Sequence, residues 1–199
     1  MTMRYEPDHK QHTRELVLAE AAKAIRSQGP DRVAVAGVMK RAGLTHGGFY
    51  SHFASKDAML AATIEYMFDG SRDRWVHKTL DRPPAQALGT YIDWYLSAAH
   101  RDSKEHGCPI AALAADLPRL SSPCRAAFAS GTRKLMAKLT ELIAAAGHDD
   151  APELARSVLA ELVGALSLAR VDPDHRRSDA VLATSRRAIK ARLGLGGRS

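Results

Sequence analysis

The fold is decided by one run, Val38-Met39-Lys40-Arg41-Ala42-Gly43-Leu44-Thr45-His46-Gly47-Gly48-Phe49-Tyr50-Ser51-His52-Phe53. Val38, Met39 and Ala42 form one apolar face at helical spacing. Gly43 can take the left-handed conformation that ends a helix. Leu44 can plug the core beneath the turn, and Thr45 can cap a second short helix carrying Phe49, Tyr50 and Phe53. Two short helices around a glycine turn, with small and polar residues opening the second, predict a helix-turn-helix over residues 34–53.

Working outward, Val17, Ala21 and Ile25 mark a helix over residues 13–28, widened by Leu18 and Ala22 and stopped by Gly29-Pro30. Downstream, Ser55 reads as the N-cap of a long helix whose stripe is Met59, Leu60, Ile64, Met67 and Phe68. Asp81-Arg82-Pro83-Pro84 breaks it. A helix with Leu88, Ile92, Tyr95 and Leu96 follows, then a polar loop over residues 101–107 and a short helix opened by Cys108-Pro109. Ser121-Ser122-Pro123 starts another, with Phe128, Leu135, Leu139 and Leu142 facing inward and Gly147 ending it. The last two helices are expected at 151–171 and 178–195, around Asp172-Pro173-Asp174. In the first of them Leu154, Val158, Leu162 and Leu166 make one row and Leu159 with Val163 another, a stripe broad enough to suit a subunit interface. No stretch alternates with period two, so the fold class is all-α. The Gly-rich end, residues 194–199, should fray.

With 199 residues, 45% of them hydrophobic, the chain can bury an ordinary core without disulfides or structural metal. Its 26% charged residues, 14 Gly and 9 Pro exclude collagen-like and disordered classes. Two cysteines, Cys108 and Cys124, are too few for a disulfide framework. No apolar run approaches the roughly 20 residues of a spanning helix, and the polar start lacks a basic-then-apolar leader, so the expectation is a cytoplasmic protein with no membrane partner. A formal charge of +7 attracts phosphate, an anionic surface or an acidic partner.

The run at 38–53, continued by Ser55-Lys56-Asp57 and preceded by Arg14, Val17, Ala21, Ala22, Ile25 and Gly29, resembles the DNA-binding region of the TetR/AcrR transcriptional regulators. The match is residue by residue from about 14 to 60. Beyond it, only the helical layout and Gly107-Cys108-Pro109 look similar to one branch of that family. The resemblance implies an N-terminal arm and DNA-binding domain over 1–54 and a ligand-sensing, dimerising helical domain over 55–199. It further implies that 45–52 is the recognition helix, with Thr45, His46, Gly47 and Gly48 nearest the base edges. Chemistry agrees: two glycines let backbone approach a duplex, and Thr and His exchange hydrogen bonds with bases or phosphates. Tyr50, His52 and Lys56 are candidate phosphate contacts, and Lys40 joins them, although Lys40-Arg41 also reads as a solvated face. Phe49 and Phe53 read as core. This sequence departs from the family pattern at Ala34, where a Ser or Thr often caps the helix before the turn, and at Gly37 within that helix, at a cost of about 0.5 to 1 kcal/mol.

The resemblance also implies a homodimer, a palindromic operator and a small-molecule effector, with repression the family's common mode. Pairing is expected through residues 151–195, with Leu154, Val158, Leu162, Leu166, Leu182 and Ile189 at the interface. Tyr66, Met67, Trp75, Tyr91, Trp94, Tyr95, Cys108, Leu113 and Phe128 are candidate pocket residues that equally well fill a core. So few charges in these rows point to an apolar or aromatic effector. Arg176, Arg177, Arg186, Arg187, Lys190, Arg192 and Arg198 make a second basic cluster, read as a solvated face or as an auxiliary contact.

Cys108 admits two readings. It is a small buried hydrophobe, or a thiol activated at a helix start beside His106, which would make the chain an electrophile- or redox-responsive sensor. A metal sensor built on His100, His106 and Cys108 is a further alternative, but their spacing matches no regular zinc site, so no metal or other cofactor is expected. No nucleophile-base pair, phosphate loop or carboxylate pair suggests an enzyme.

Overall fold

A computed structural model of the chain describes the backbone of residues 5–195; Arg4, Arg198 and the last four residues of the Gly-rich end lie outside the described residues. Among the described residues every regular element is helical, and the fold is all-α with an N-terminal helix-turn-helix and a C-terminal helical part. No described helix is long and apolar enough to cross a membrane. The chain forms two compact units by contact: one comprises the residues through Asp69 and Cys108–Gly131, the other Gly70–Gly107 and the residues from Thr132 onward.

In the first unit, α1 runs Tyr5–Gln28, eight residues earlier than the apolar pattern foretold. Pro7 stands in its first turn, where a missing N–H breaks no helical bond. Thr13, the apparent start, instead turns its hydroxyl back to the His9 carbonyl at 2.8 Å, and Gln11 bonds Glu15 one turn on. Val17, Leu18, Ala21, Ala22 and Ile25 are buried together with Val38 and Met39 of α2 (Val35–Arg41), and α1 packs on α2. After a 3₁₀ helix at His46–Ser51, α3 spans Lys56–Thr79. Ser55 caps it as foreseen: its Oγ accepts the Ala58 N–H at 3.0 Å. Short α6 (Pro109–Leu113) packs against α1 in this unit, and the first half of α7 (Ser122–Ala145) carries Phe128 edge-on to Phe68 at 5.5 Å.

The second unit holds α4 (Pro84–Tyr95), α5 (Ala98–Asp102), α8 (Ala151–Val171) and α9 (His175–Arg192). α8 and α9 pack along one another and α4 leans on both. Val158, Leu162, Leu166, Leu182 and Ile189 are fully or almost fully buried inside this single subunit. The large apolar side chains left bare on α8 are Leu168 (61% exposed) and Val171 (76%). Where a polar loop was expected, the chain makes α5, capped by the Ser97 hydroxyl on the His100 N–H, and a 3₁₀ turn at Lys104–His106. His100 and Arg101 are buried there.

Candidate functional site

The turn between α2 and the 3₁₀ helix is built by backbone rules. α2 ends on Ala42, and Gly43 follows at φ +73°. The Leu44 N–H reaches back to the Met39 carbonyl at 2.9 Å and the Gly43 N–H to that of Lys40 at 3.1 Å. This is the paired closure of a Schellman motif, which requires a left-handed residue at Gly43. α2 starts at Ala34, whose extended backbone occupies the N-cap with no side chain to cap it.

The second short helix is of the 3₁₀ type. Two successive glycines each disfavour α-helix by about 1 kcal/mol relative to Ala, and a six-residue piece has little to offset that. Thr45 takes the N-cap position without a side-chain cap bond. Phe49 and Phe53 are buried and stack with ring centroids 5.7 Å apart, anchoring the element from beneath. Tyr50 stands edge-on to Phe49 at 5.2 Å yet is 71% exposed, so it is not a core aromatic. Thr45, His46, Gly47 and Tyr50 share the exposed side, with Gly48 half-buried.

Neither packing nor backbone φ requires glycine at position 47 or 48. Both have ordinary φ; a Cβ on Gly47 would meet nothing within 4 Å, and one on Gly48 would touch only Thr45 Oγ1 at 3.8 Å and Met39 Cε at 3.9 Å. An exposed backbone stripped of side chain where packing allows one is open to close approach from outside.

The surrounding charges sort by partner. Lys40 is exposed, whereas Arg41 is drawn to Glu20 at 3.5 Å, and Glu20 also holds Lys23 at 2.6 Å. Lys56 opens α3 and reaches the Asp31 carbonyl at 3.5 Å. His52 ends the 3₁₀ helix; burial, then Lys10, then Arg14 hold its pKa below the usual histidine value.

Candidate pocket residues separate between the two units. Tyr66, Met67, Cys108, Leu113 and Phe128 belong to the first, where Met67 and Leu113 are fully buried and Tyr66 is 38% exposed. Trp75, Tyr91, Trp94 and Tyr95 belong to the second and form one aromatic group: Trp75 and Tyr91 lie 4.5 Å apart, Tyr91 and Trp94 5.6 Å, Trp94 and Tyr95 6.1 Å. His100, which sequence reasoning weighed only as a metal ligand, completes that group. It stacks on Trp94 at 4.7 Å and gives its Nδ1 hydrogen to the Tyr95 carbonyl at 2.8 Å. Burial above all, with Arg170 and Arg74 adding to it against the Tyr95 bond, pushes its pKa down to about 4, so it is neutral at neutral pH. Among the described residues no group of three or more His, Cys, Asp or Glu is placed to hold a metal ion.

Cys108 sits at the N-cap of α6 but is 5% exposed, a burial that favours the small-hydrophobe reading over a sensor thiol. Four members of the basic cluster near the C-terminus are paired with acids within the chain. Arg177 pairs with Asp172 and Asp174, Arg186 and Lys190 with Asp93, and Arg192 with Glu161 at 2.7 Å.

Residues 17–63 match the family model described as bacterial regulatory proteins, tetR family, and residues 84–184 the model of the LmrA/YxaF-like transcriptional regulator C-terminal domain. An HTH-type transcriptional regulator of Bacillus subtilis, the uncharacterised YvdT, is 32% identical over 60 residues, which is 30% of this chain and 31% of that protein's length. Among solved structures, reduced NemR of E. coli superposes with TM-score 0.80 at 22% identity, covering 90% of this chain and 96% of that one. A TetR transcriptional regulator from Chloroflexus aurantiacus does so with TM-score 0.80 at 22% identity, covering 94% and 96%.

Proposed function

The chain belongs to the tetR family of bacterial regulatory proteins, DNA-binding regulators of transcription, and we propose that it is a homodimeric repressor released from an approximately palindromic operator by a small molecule. Residues 1–54 would bind DNA and residues 55–199 would sense ligand and dimerise. The observation that carries the DNA-binding surface is the pair Gly47-Gly48, glycine where neither packing nor backbone φ requires it, on an exposed element beside Thr45, His46 and Tyr50. Backbone at Gly47 and Gly48 would approach the major groove while Thr45 and His46 exchange hydrogen bonds with base edges. Lys40, Tyr50, His52 and Lys56 would hold phosphates.

Pairing through α8 and α9 is supported by the bare apolar residues Leu168 and Val171 with half-buried Leu154. Val158, Leu162, Leu166, Leu182 and Ile189 would support that surface from within the subunit. Two recognition elements would then meet half-sites about 34 to 36 Å apart or a multiple of it. For the effector, the aromatic group of Trp75, Tyr91, Trp94 and Tyr95 favours an apolar or aromatic compound. Its influence on operator affinity equals the difference between its affinities for the two protein states.

Selection of bound duplexes from a random pool, at fixed salt, tests this reading. A symmetric consensus supports it; uniform weak binding to every duplex, with or without small molecules, removes it.

A further inference from the structure

The front of α1 and the end of the 3₁₀ helix bring two basic side chains, Arg14 and His52, to one buried ring, that of Phe53. The Arg14 guanidinium carbon lies 5.0 Å from the Phe53 ring centroid, and the His52 ring lies 6.5 Å from the same ring, tilted by 50°. Lys10, exposed one turn before Arg14, acts with Arg14 on the charge of His52. The His52 Nδ1 is buried with no hydrogen-bond partner, so any bond the ring makes outward runs through Nε2. Among the described residues, the α1 charges that act on this ring are those of Lys10 and Arg14. α2, which also packs on the 3₁₀ helix, brings the further cations Lys40 and Arg41, and α3 opens with Lys56 and Asp57. Of these, Arg41 is paired with Glu20, and Lys40 is exposed.

We propose that Lys10, Arg14 and His52 form a phosphate site and that His52 takes up a proton when a DNA phosphate occupies it, so that operator affinity rises as pH falls. The proposal rests on the DNA-binding reading of this surface and adds Lys10, Arg14 and proton linkage to it. In the free protein, burial and the two neighbouring cations lower the His52 pKa and so disfavour its charged form. A phosphodiester placed among the three groups reverses the sign of the local field and favours the imidazolium, which offers the anion a charge-assisted hydrogen bond. The complex then binds more protons than the free protein. The added affinity is complete below the free-protein pKa of His52 and disappears as pH rises through its pKa in the complex. The two extra turns of α1, which place Lys10 here, acquire a role that the core pattern of that helix did not require.

The test uses the full chain and the operator it selects. Dissociation constants are measured from about pH 5.5 to about pH 8 at constant ionic strength, and proton uptake by calorimetry in two buffers of different ionisation enthalpy. The wild type is expected to tighten toward low pH by up to about tenfold per pH unit, with uptake of up to about one proton. His52→Gln should flatten that slope while His12→Gln keeps it, and Lys10→Ala should reduce the salt dependence of log K by roughly 0.9. Sequence-specific binding with no proton uptake, or with a slope unchanged by His52→Gln, overturns the phosphate site and leaves the DNA-binding reading standing. No preferred duplex at any pH overturns both.

Discussion

The guanidinium of Arg101 meets the carboxylate of Asp179, 78 positions along the chain, at 2.5 Å. The same side chain donates to both oxygens of Asp102, at 2.7 and 3.1 Å, and to Ser178 Oγ at 2.9 Å, while Ser178 donates to the Ala169 carbonyl at 2.6 Å. Arg170 reinforces the join, bonding the carbonyls of His100 and Arg101 at 3.1 Å each. It passes so close to Gly107 that a Cβ there would lie 2.5 Å from its Nη2. Five residues of α5 are thereby tied to both α8 and α9.

The two ends of that ion pair should respond differently. Arg101 is buried, and Arg101→Met removes its hydrogen bonds to Ser178 and to two half-exposed carboxylates, a loss of about 1.5 to 3 kcal/mol. Asp179 is 58% exposed, and Asp179→Asn should lose about 0.5 to 1 kcal/mol, since water replaces most of what the pair supplies. Urea denaturation of both variants reads the contrast directly; equal small losses would mean that α5 is not held by this network.

His100 should make stability depend on pH. Its pKa stands at about 4 in the folded chain against the ordinary histidine value of 6.5, so between those values the unfolded chain binds more protons. Its contribution is therefore present above about pH 6.5 and is lost as pH falls to about 4, in total about 3 kcal/mol at 1.36 kcal/mol per unit. Denaturation midpoints measured across that window should fall with acid in the wild type and fall less in His100→Phe.

Ala34 predicts a gain. Its backbone already has the extended geometry of an N-cap, φ −96° and ψ 129°, but its methyl group cannot accept a hydrogen bond from the first turn of α2. Ala34→Ser should therefore stabilise the protein by about 0.5 to 2 kcal/mol, read as a higher denaturation midpoint with unchanged slope.

What could be read from sequence was local. Gly43, Ser55, Phe49, Phe53 and the uncapped Ala34 act through neighbours within a few positions, so their roles follow from spacing. The start of α1 was missed because Lys10, Gln11 and His12 carry no apolar periodicity, and bonds such as Thr13 to the His9 carbonyl hold helix without a hydrophobic signal. α5 was missed because the long-range bonds of Arg101 run to Ser178 and Asp179, 77 and 78 residues away. The rows of α8 were read as a stripe suited to a subunit interface; Val158, Leu159, Leu162 and Leu166 are buried within the chain, and no periodicity distinguishes burial against its own α9 from burial against a second subunit.

Gly47 separates folding from function. A Cβ there meets open space and the backbone φ is ordinary, so Gly47→Ala should leave thermal stability unchanged or raise it by up to about 1 kcal/mol through helix propensity. On DNA the same methyl group would occupy the gap through which backbone approaches the groove. Operator affinity should then drop by tenfold or more, about 1.4 kcal/mol, with the salt dependence intact because no phosphate contact is removed. Binding isotherms at two salt concentrations alongside a melting curve distinguish the cases. A variant that melts like the wild type and binds like it would mean that the glycine pair does not face the duplex, and Thr45 and His46, which flank it, would lose their place at the base edges as well.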